Sequence, residues 1–307
     1  MNFTKMHGLG NDFILIDCRG NKFGIRPPKA ENFEFLAKKL CNRRFGIGAD
    51  QLLLLYPSEI ADFKMRIFNA DGSEVEMCGN GVRCLAKYIW DRNLSDKKIL
   101  HIETLAGIIK PEKEGEMVKV DMGEPIFESE KIPVNISQES LVESQKSKNV
   151  DTKGLTTHDS RLHDFRVIID YPLHIAHRVF NITCVSMGNP HTVIVVEDLS
   201  HFPVTYYGPM IESQPIFPKR TNVEFIEVLN PAEIKMRVWE RGSGETMACG
   251  TGASAAAVAS NIKGLTGKNV TVHLPGGDLF IEWAADNHVY IIGPAVEVFE
   301  GIIENQR

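Results

Sequence analysis

The 307-residue sequence has little of what several protein classes require. Its six cysteines (18, 41, 78, 84, 184 and 249) include no CxxC pair, so neither a disulfide framework nor a zinc ribbon is expected. Cys78 and Cys84 are six positions apart, a poor spacing for one tetrahedral ion. His174 and His177 have no third ligand nearby and read as surface residues, so no metal is expected. A basic excess is absent too: 34 Lys and Arg face 40 Asp and Glu, giving a net charge of −6 and a pI near 6.0. That balance argues against nucleic acid or an anionic membrane as partner. No apolar run approaches the ~20 residues of a membrane-spanning helix. The opening MNFTKMHGLG contains no signal-peptide core, so the expected compartment is a reducing cytoplasm. What remains is an ordinary globular composition, 43% hydrophobic and 24% charged, in a length that suits two domains of about 150 residues.

The distinctive feature is a stretch written twice. Residues 64–83 read KMRIFNADGSEVEMCGNGVR and residues 235–254 read KMRVWERGSGETMACGTGAS. At a constant offset of 171 positions, Lys64, Met65, Arg66, Glu74, Cys78, Gly79 and Gly81 recur as Lys235, Met236, Arg237, Glu245, Cys249, Gly250 and Gly252. Seven identities in twenty point to duplication of one supersecondary unit: strand, polar turn, then cysteine and glycines opening a helix. The correspondence runs further. Gln51 falls opposite Asn222 and Asn69 opposite Glu240, and at an offset one shorter Gly107 falls opposite Gly277 and Gly123 opposite Gly293.

Along the chain, Phe3 and Met6 lead through the Gly-rich His7–Asn11 into the apolar Phe13–Ile16, a strand, a tight turn and a strand. A short helix is expected over 31–41, a buried strand over 51–56 and an alternating strand over 63–68. After Cys78, apolar residues at Val82, Leu85, Ala86, Ile89 and Trp90 form the stripe of a core-packed helix. Strands are expected over 99–110 and 117–122, with the charged Glu112–Gly115 as the turn between them. The run Ala253–Ile262 is almost wholly small or apolar and predicts a buried helix that Gly264 can end. Ser137–Asp164 is polar, mixed in charge and poor in apolar residues, and reads as a solvated loop or insertion, with the core resuming near Phe165.

Cys18, Cys41, Cys84 and Cys184 read as inert core thiols. Cys78 and Cys249 differ, because each stands where a helix begins. Unpaired backbone N–H groups and the helix dipole favour an anion there, and such a setting lowers a thiol pKa. The same N–H groups can cradle a carboxylate. Two such units acting on one carbon suit inversion without a cofactor: one thiolate removes the α-proton and the other thiol returns a proton to the opposite face. The N–H groups holding the carboxylate then act as an oxyanion hole.

Six segments carry a resemblance: MHGLGNDF (6–13), FGIGADQ (45–51), FNADGSEVEMCGNG (68–81), MGNPH (187–191), RTNVEF (220–225) and ERGSGETMACGTG (240–252). The chain resembles the diaminopimelate epimerases, cofactor-independent two-thiol racemases of lysine and cell-wall precursor synthesis, over about 1–127 and 180–307. The resemblance fails over 131–179. It implies an α/β (α+β) fold of two pseudo-symmetric domains, each a sheet wrapped around a central helix, with the active site between them. The first domain would span 1–127 and the second 128–295, with a polar insertion at about 137–164 and a final strand near 296–307 rejoining the first. The resemblance also implies Cys78 and Cys249 as the catalytic pair, with His191 and Glu240 as polar groups beside the thiols. It places Asn11, Gln51, Asn69, Asn189, Asn222, Glu240 and Arg241 around the substrate and Gly79, Asn80, Gly250 and Thr251 at its carboxylate. Diaminopimelate is the implied substrate, a homodimer the implied assembly, and no cofactor is required. From spacing alone each of these asparagines reads as a turn residue and Arg241 as a surface charge.

Three other readings compete. Proline and hydroxyproline racemases share the fold group but usually carry a histidine after the first Cys-Gly, where this chain has Asn80. A thiol switch between Cys78 and Cys249 would have no resolving cysteine near either one in sequence. A non-catalytic binding module would have no need of both thiols.

Overall fold

The computed structural model describes residues 1–20, 33–136 and 167–303. The polar stretch Ser137–Asp164 lies outside the described residues, as do the first two residues of the helix expected over 31–41 and the end of the last strand. The chain divides into two compact units, Met1–Asp121 with Ile292–Arg307, and Met122–Ile291.

The first unit contains β1 (Asn2–Gly8), β2 (Asn11–Asp17), α1 (Phe33–Cys41), β3 (Gln51–Tyr56), β4 (Phe63–Asn69), β5 (Glu74–Val75), α2 (Gly79–Asp91), β6 (Ile102–Thr104), β7 (Gly107–Ile109), β8 (Glu112–Glu114) and β9 (Met117–Asp121). The second contains β10 (Tyr171–Ile175), β11 (Arg178–Ser186), β12 (Pro190–Val195), α3 (Val204–Glu212), β13 (Asn222–Asn230), β14 (Glu233–Glu240), β15 (Gly244–Thr246), α4 (Gly250–Ile262), β16 (Asn269–Leu274), β17 (Gly277–Trp283) and β18 (Val289–Gly293). The last strand, β19 (Val296–Ile302), belongs to the first unit and pairs antiparallel with β1.

The duplicated sequence folds as a duplicated topology. In the first sheet β1, β2, β3, β4, β6 and β7 are successive neighbours; in the second β11, β12, β13, β14, β16 and β17 follow the same order. The β2–β3 and β4–β6 pairs are parallel, as are β12–β13 and β14–β16. The registers match: Phe13 pairs with Gln51, and His191 pairs with Asn222. Helix α2 packs against β1, β2, β3 and β19 of the first sheet, and α4 against β11, β12, β13, β14, β16 and β17 of the second, so each sheet wraps a central helix. This is an α+β fold rich in sheet.

Strand alternation decides what meets each helix. Leu52 and Leu54 join a core with Phe33, Ala37 and Leu40 of α1, which leaves Leu53 on the α2 face. In β13, Val223 and Phe225 join a core with Val204, Tyr207 and Ile211 of α3, which turns Glu224 toward α4. Both central helices end alike. Asn93 and Gly264, 171 positions apart, take positive φ (51° and 70°), and the next N–H reaches back to Ile89 and Ser260 at 2.9 Å in each case. These are Schellman ends, where the left-handed residue is usually glycine and sometimes asparagine.

Some elements differ from the sequence reading. Glu112–Gly115 is not a plain turn: Glu112–Glu114 forms β8 and pairs with β9, Glu112 opposite Lys119. A strand this exposed on both faces carries no apolar alternation to reveal it. The run 99–110 breaks into the β6–β7 hairpin, with Gly107 at φ 106°. Helix α3 carries Gly208 and Pro209, which read as breakers in sequence. A Cβ at Gly208 would lie 2.6 Å from Trp239 Cγ, so glycine lets the helix close on the indole.

Candidate active site

Cys78 is the N-cap of α2 and Cys249 the N-cap of α4, with backbone angles of −141°, 114° and −131°, 114°. Each carbonyl accepts the first helical bond, from Val82 and from Ala253, at 2.9 Å. Neither side chain makes a capping hydrogen bond. Gly79, Asn80 and Gly81 form the first turn after one thiol, and Gly250, Thr251 and Gly252 the first turn after the other. These turns carry the N–H groups that a helix cannot satisfy internally.

In the first unit, Asn11 sits in the tight β1–β2 turn beside the cysteine. Its Oδ1 accepts from Asn80 Nδ2 at 3.2 Å and lies 3.8 Å from Cys78 Sγ. Its Nδ2 donates to Asp50, the residue before Gln51, at 2.9 Å. Gln51 Nε2 donates to Asn69 Oδ1 at 2.8 Å across the β3–β4 pair. Two buried amide oxygens, Gln51 Oε1 and Asn80 Oδ1, have no donor among the described residues. Such acceptors suit an ammonium ligand. Asp12, behind this turn, is drawn up by burial, but bonds from Arg43 and Lys5 outweigh that and hold its carboxyl at about 2.

In the second unit the thiol heads a continuous polar chain. Cys249 Sγ lies 3.5 Å from Thr251 Oγ1, which accepts from Asn189 Nδ2 at 3.3 Å. Asn189 Oδ1 meets His191 Nε2 at 2.9 Å, and His191 Nδ1 meets Glu224 Oε1 at 2.6 Å. Because Nε2 faces an amide oxygen it carries a proton, so one further proton is shared between Nδ1 and Glu224 and the pair is neutral overall. Both side chains are fully buried. Burial pushes Glu224 above the usual carboxylate range, opposed by His191. Both ring nitrogens of His191 are therefore occupied, and it reaches Cys249 only through Asn189 and Thr251.

Glu240, at the end of β14, accepts from Thr246 Oγ1 at 2.5 Å. Burial pushes the Cys249 thiol well up, and the Glu240 and Glu224 carboxylates push it further. The helix-end setting favours a thiolate in the sequence reading; at Cys249 burial and acidic neighbours oppose it. Asn222 donates to the Pro190 carbonyl at 3.0 Å and accepts from the Arg241 backbone N–H at 2.9 Å. Arg241 gives Nη1 to the Lys219 carbonyl at 3.0 Å. Glu212 of α3 ties this loop down by accepting from Trp239 Nε1 at 2.7 Å and from the Gly242 N–H at 3.1 Å.

Two residues that sequence reasoning passed over stand out. Glu224 is a carboxylate in a central strand, opposite Leu53 in the repeat, and the 171-residue offset was signal enough to find it. Arg83 is a fully buried arginine in the first turns of α2, opposite Ser254. Among the described residues no cluster of three or more His, Cys, Asp or Glu could hold a metal, and no helix is long and apolar enough to cross a membrane.

Two topologically matched units, each presenting a cysteine at the start of its central helix, define a duplicated α+β protein with a thiol in each half. The family model described as Diaminopimelate epimerase matches residues 3–128 and 183–298. Curated relatives include the diaminopimelate epimerase of Pelotomaculum thermopropionicum, 52% identical over 306 residues with 98% of each chain covered. That of Moorella thermoacetica is 50% identical over 307 residues, again covering 98% of each. The chain belongs to the diaminopimelate epimerase family. Among solved structures, a phenazine biosynthesis protein of the PhzF family from Bacillus anthracis superposes with a TM-score of 0.64 at 19% identity, covering 99% of both chains. A probable proline racemase from Agrobacterium radiobacter gives 0.63 at 13% identity, covering 99% of this chain and 93% of its own. At such identities these two share the fold alone.

Proposed function

We propose that this protein is an isomerase that interconverts LL- and meso-diaminopimelate by moving one α-proton, without a cofactor. The observation that carries the reading is the pair of cysteine-capped helix starts, alike in backbone angles to within about 10°. In this mechanism one thiolate takes the α-proton and the other thiol delivers a proton to the opposite face, inverting the carbon. N–H groups of Gly79, Asn80, Gly250 and Thr251 hold the α-carboxylate and stabilise the charge that develops on it. The substrate's second amino-acid head group is met by Asn11, Gln51, Asn69, Asn189, Asn222, Glu240 and Arg241. Amide oxygens and the Glu240 carboxylate accept from its ammonium, and the Arg241 fork donates to its carboxylate. His191 acts through Asn189 and Thr251 on Cys249 and is a positioning residue.

Such an enzyme would supply precursors of lysine and of peptidoglycan, work in the cytoplasm, where thiols stay reduced, and assemble as a homodimer. The test is direct. Purified protein under reducing conditions, with LL-diaminopimelate and no added cofactor, should yield meso-diaminopimelate on chiral separation, and the proline enantiomers should be left unchanged. Turnover of proline, or none of diaminopimelate, would contradict the reading.

A further inference from the structure

The electrostatics beneath the two thiols are opposite in kind. Arg83 is fully buried, yet its guanidinium has one hydrogen bond, from Nε to the Pro294 carbonyl at 3.3 Å. Nη1 and Nη2 have no hydrogen-bond partner among the described residues. The group is packed against the tight β1–β2 turn: a Cβ added at Gly8 would lie 3.2 Å from Arg83 Nη2 and 3.3 Å from Asn80 Cβ. Arginine does not give up its proton in a protein. A buried cation with two open donors requires a counter-charge nearby.

Two groups within electrostatic reach can supply one, Cys84 and Cys78. Cys84 is eliminated, because burial pushes its thiol up to about 12. Cys78 remains. It is only half-buried and begins the same helix. Asn11, 3.8 Å from its sulfur, is neutral, and the Asp50 bonded to Asn11 is already paired with Arg43. Among its described residues the second unit offers no such cation at the matching position. Ser254 stands at the matching position and spends its hydroxyl on the Gly250 carbonyl at 3.0 Å. The groups that face Cys249 are instead the Glu240 carboxylate, the neutral His191–Glu224 pair and Thr251.

We propose that Arg83 is the buried counterion of a Cys78 thiolate, so that the enzyme at rest carries its anionic sulfur on Cys78 and its proton on Cys249. Arg83 is then a positioning residue: it touches no substrate and acts by fixing where the charge sits. The deprotonation involved is simple, the thiol proton passing to water. The inference rests on the two-thiol reading above, but its test needs no turnover.

The test follows carbamidomethylation of each cysteine by iodoacetamide against pH, peptide by peptide in a mass spectrometer, on the intact protein. Midpoints rather than rates are compared, because Cys249 is less exposed than Cys78. Cys18, Cys41, Cys84 and Cys184, pushed up to about 11 or 12 by burial, should stay silent below about pH 9 and serve as internal controls. In the unsubstituted protein the Cys78 midpoint should lie at least about one pH unit below that of Cys249. Arg83→Met should raise the Cys78 midpoint by about one unit or more and leave that of Cys249 in place. Arg83→Lys, which keeps the charge, should restore most of the shift. Equal midpoints in the unsubstituted protein, or the reverse order, would overturn the proposal without any variant. So would an Arg83→Met protein with native circular dichroism and an unmoved Cys78 midpoint. If Arg83→Met does not fold, the unsubstituted midpoints and Arg83→Lys decide. Separated midpoints in a protein that leaves diaminopimelate untouched would sink the functional reading and keep this one; equal midpoints in an active epimerase would do the opposite.

Discussion

Beneath the cysteine-capped helix of the first unit lie Phe13 and Leu53; at the matching positions of the second lie His191 and Glu224. A Cβ at Gly81 would meet Leu53 Cδ2 at 3.2 Å, whereas one at Gly252 would meet Glu224 Oε1 at 2.8 Å. The backbone of the repeat is kept and its lining is not. Duplication supplies two equivalent thiol positions, but in the proposed reaction one must take a proton while the other gives one, which asks for two unlike environments. The first unit puts an apolar wall and a buried arginine around its cysteine; the second puts a polar chain that ends in a neutral, proton-sharing pair. On the proposed mechanism, divergence of the linings is what turns a symmetric scaffold into an acid and a base.

Changes that disable one half alone give the largest effects. Cys78→Ala and Cys249→Ala should each lower kcat for epimerisation by about 10³-fold or more, since each removes one half of the proton relay. Either variant should still exchange the α-proton slowly on its surviving face, with retention; full epimerisation by one of them would end the two-thiol account. Next is Arg241→Lys, which keeps the charge and loses the planar fork. We expect KM for diaminopimelate to rise about 10- to 100-fold, as loss of a bidentate contact does. An unchanged KM would put Arg241 outside the pocket.

A third change is confined to the first unit, where Asp12 has Pro190 as its counterpart. Asp12 is held at about 2 from an ordinary 3.8, so its ionised form is the one the fold favours. That contribution, about 2 kcal/mol, is fully present above pH 3.8 and is lost as pH falls through about 2. Asp12→Asn should therefore lose about that much stability at neutral pH and show a flatter stability curve between these limits, measured by urea unfolding at several pH values. An unaltered slope would remove the Lys5–Asp12–Arg43 cluster from the account. The last comparison is the glycine pair, where the difference between the two variants is smaller still. Gly81→Ala should be within about 1 kcal/mol of neutral, helix propensity offsetting a slight shift of Leu53. Gly252→Ala should cost about 1–3 kcal/mol, because it presses on a buried, hydrogen-bonded carboxylate. Equal melting temperatures for the two would show that the linings do not differ in rigidity.

The repeat made the fold legible. An offset of 171 positions aligned both central helices, both cysteines and the strands before them, because duplicated backbones keep their register. The Schellman end at Gly264 was readable as a glycine after an apolar run; its twin at Asn93 was hidden by the residue type. Helix α3 was hidden by Gly208 and Pro209, since the reason for that glycine is the Trp239 ring, thirty-one residues on. In the site, the two thiols followed from helix-end position and repetition, whereas Asn11, Asn189 and Arg241 came through family resemblance alone. Glu224 and Arg83 escaped because a charged letter in a strand or helix ordinarily reads as surface; the repeat, which sets Glu224 opposite Leu53, was the one sequence signal against that for Glu224, and for Arg83 burial alone shows otherwise.

The central claim is that two thiols serve opposite faces of one carbon, and solvent isotope incorporation tests it most directly. In heavy water the thiol that delivers the proton already carries deuterium before substrate binds. With LL-diaminopimelate, at under about a tenth of full conversion to limit back-reaction, the account predicts deuterium at the inverted carbon of the meso product and almost none in recovered LL-substrate. Equal label in both pools, or product that keeps the original protium, would mean that one base swings between the faces and would contradict it.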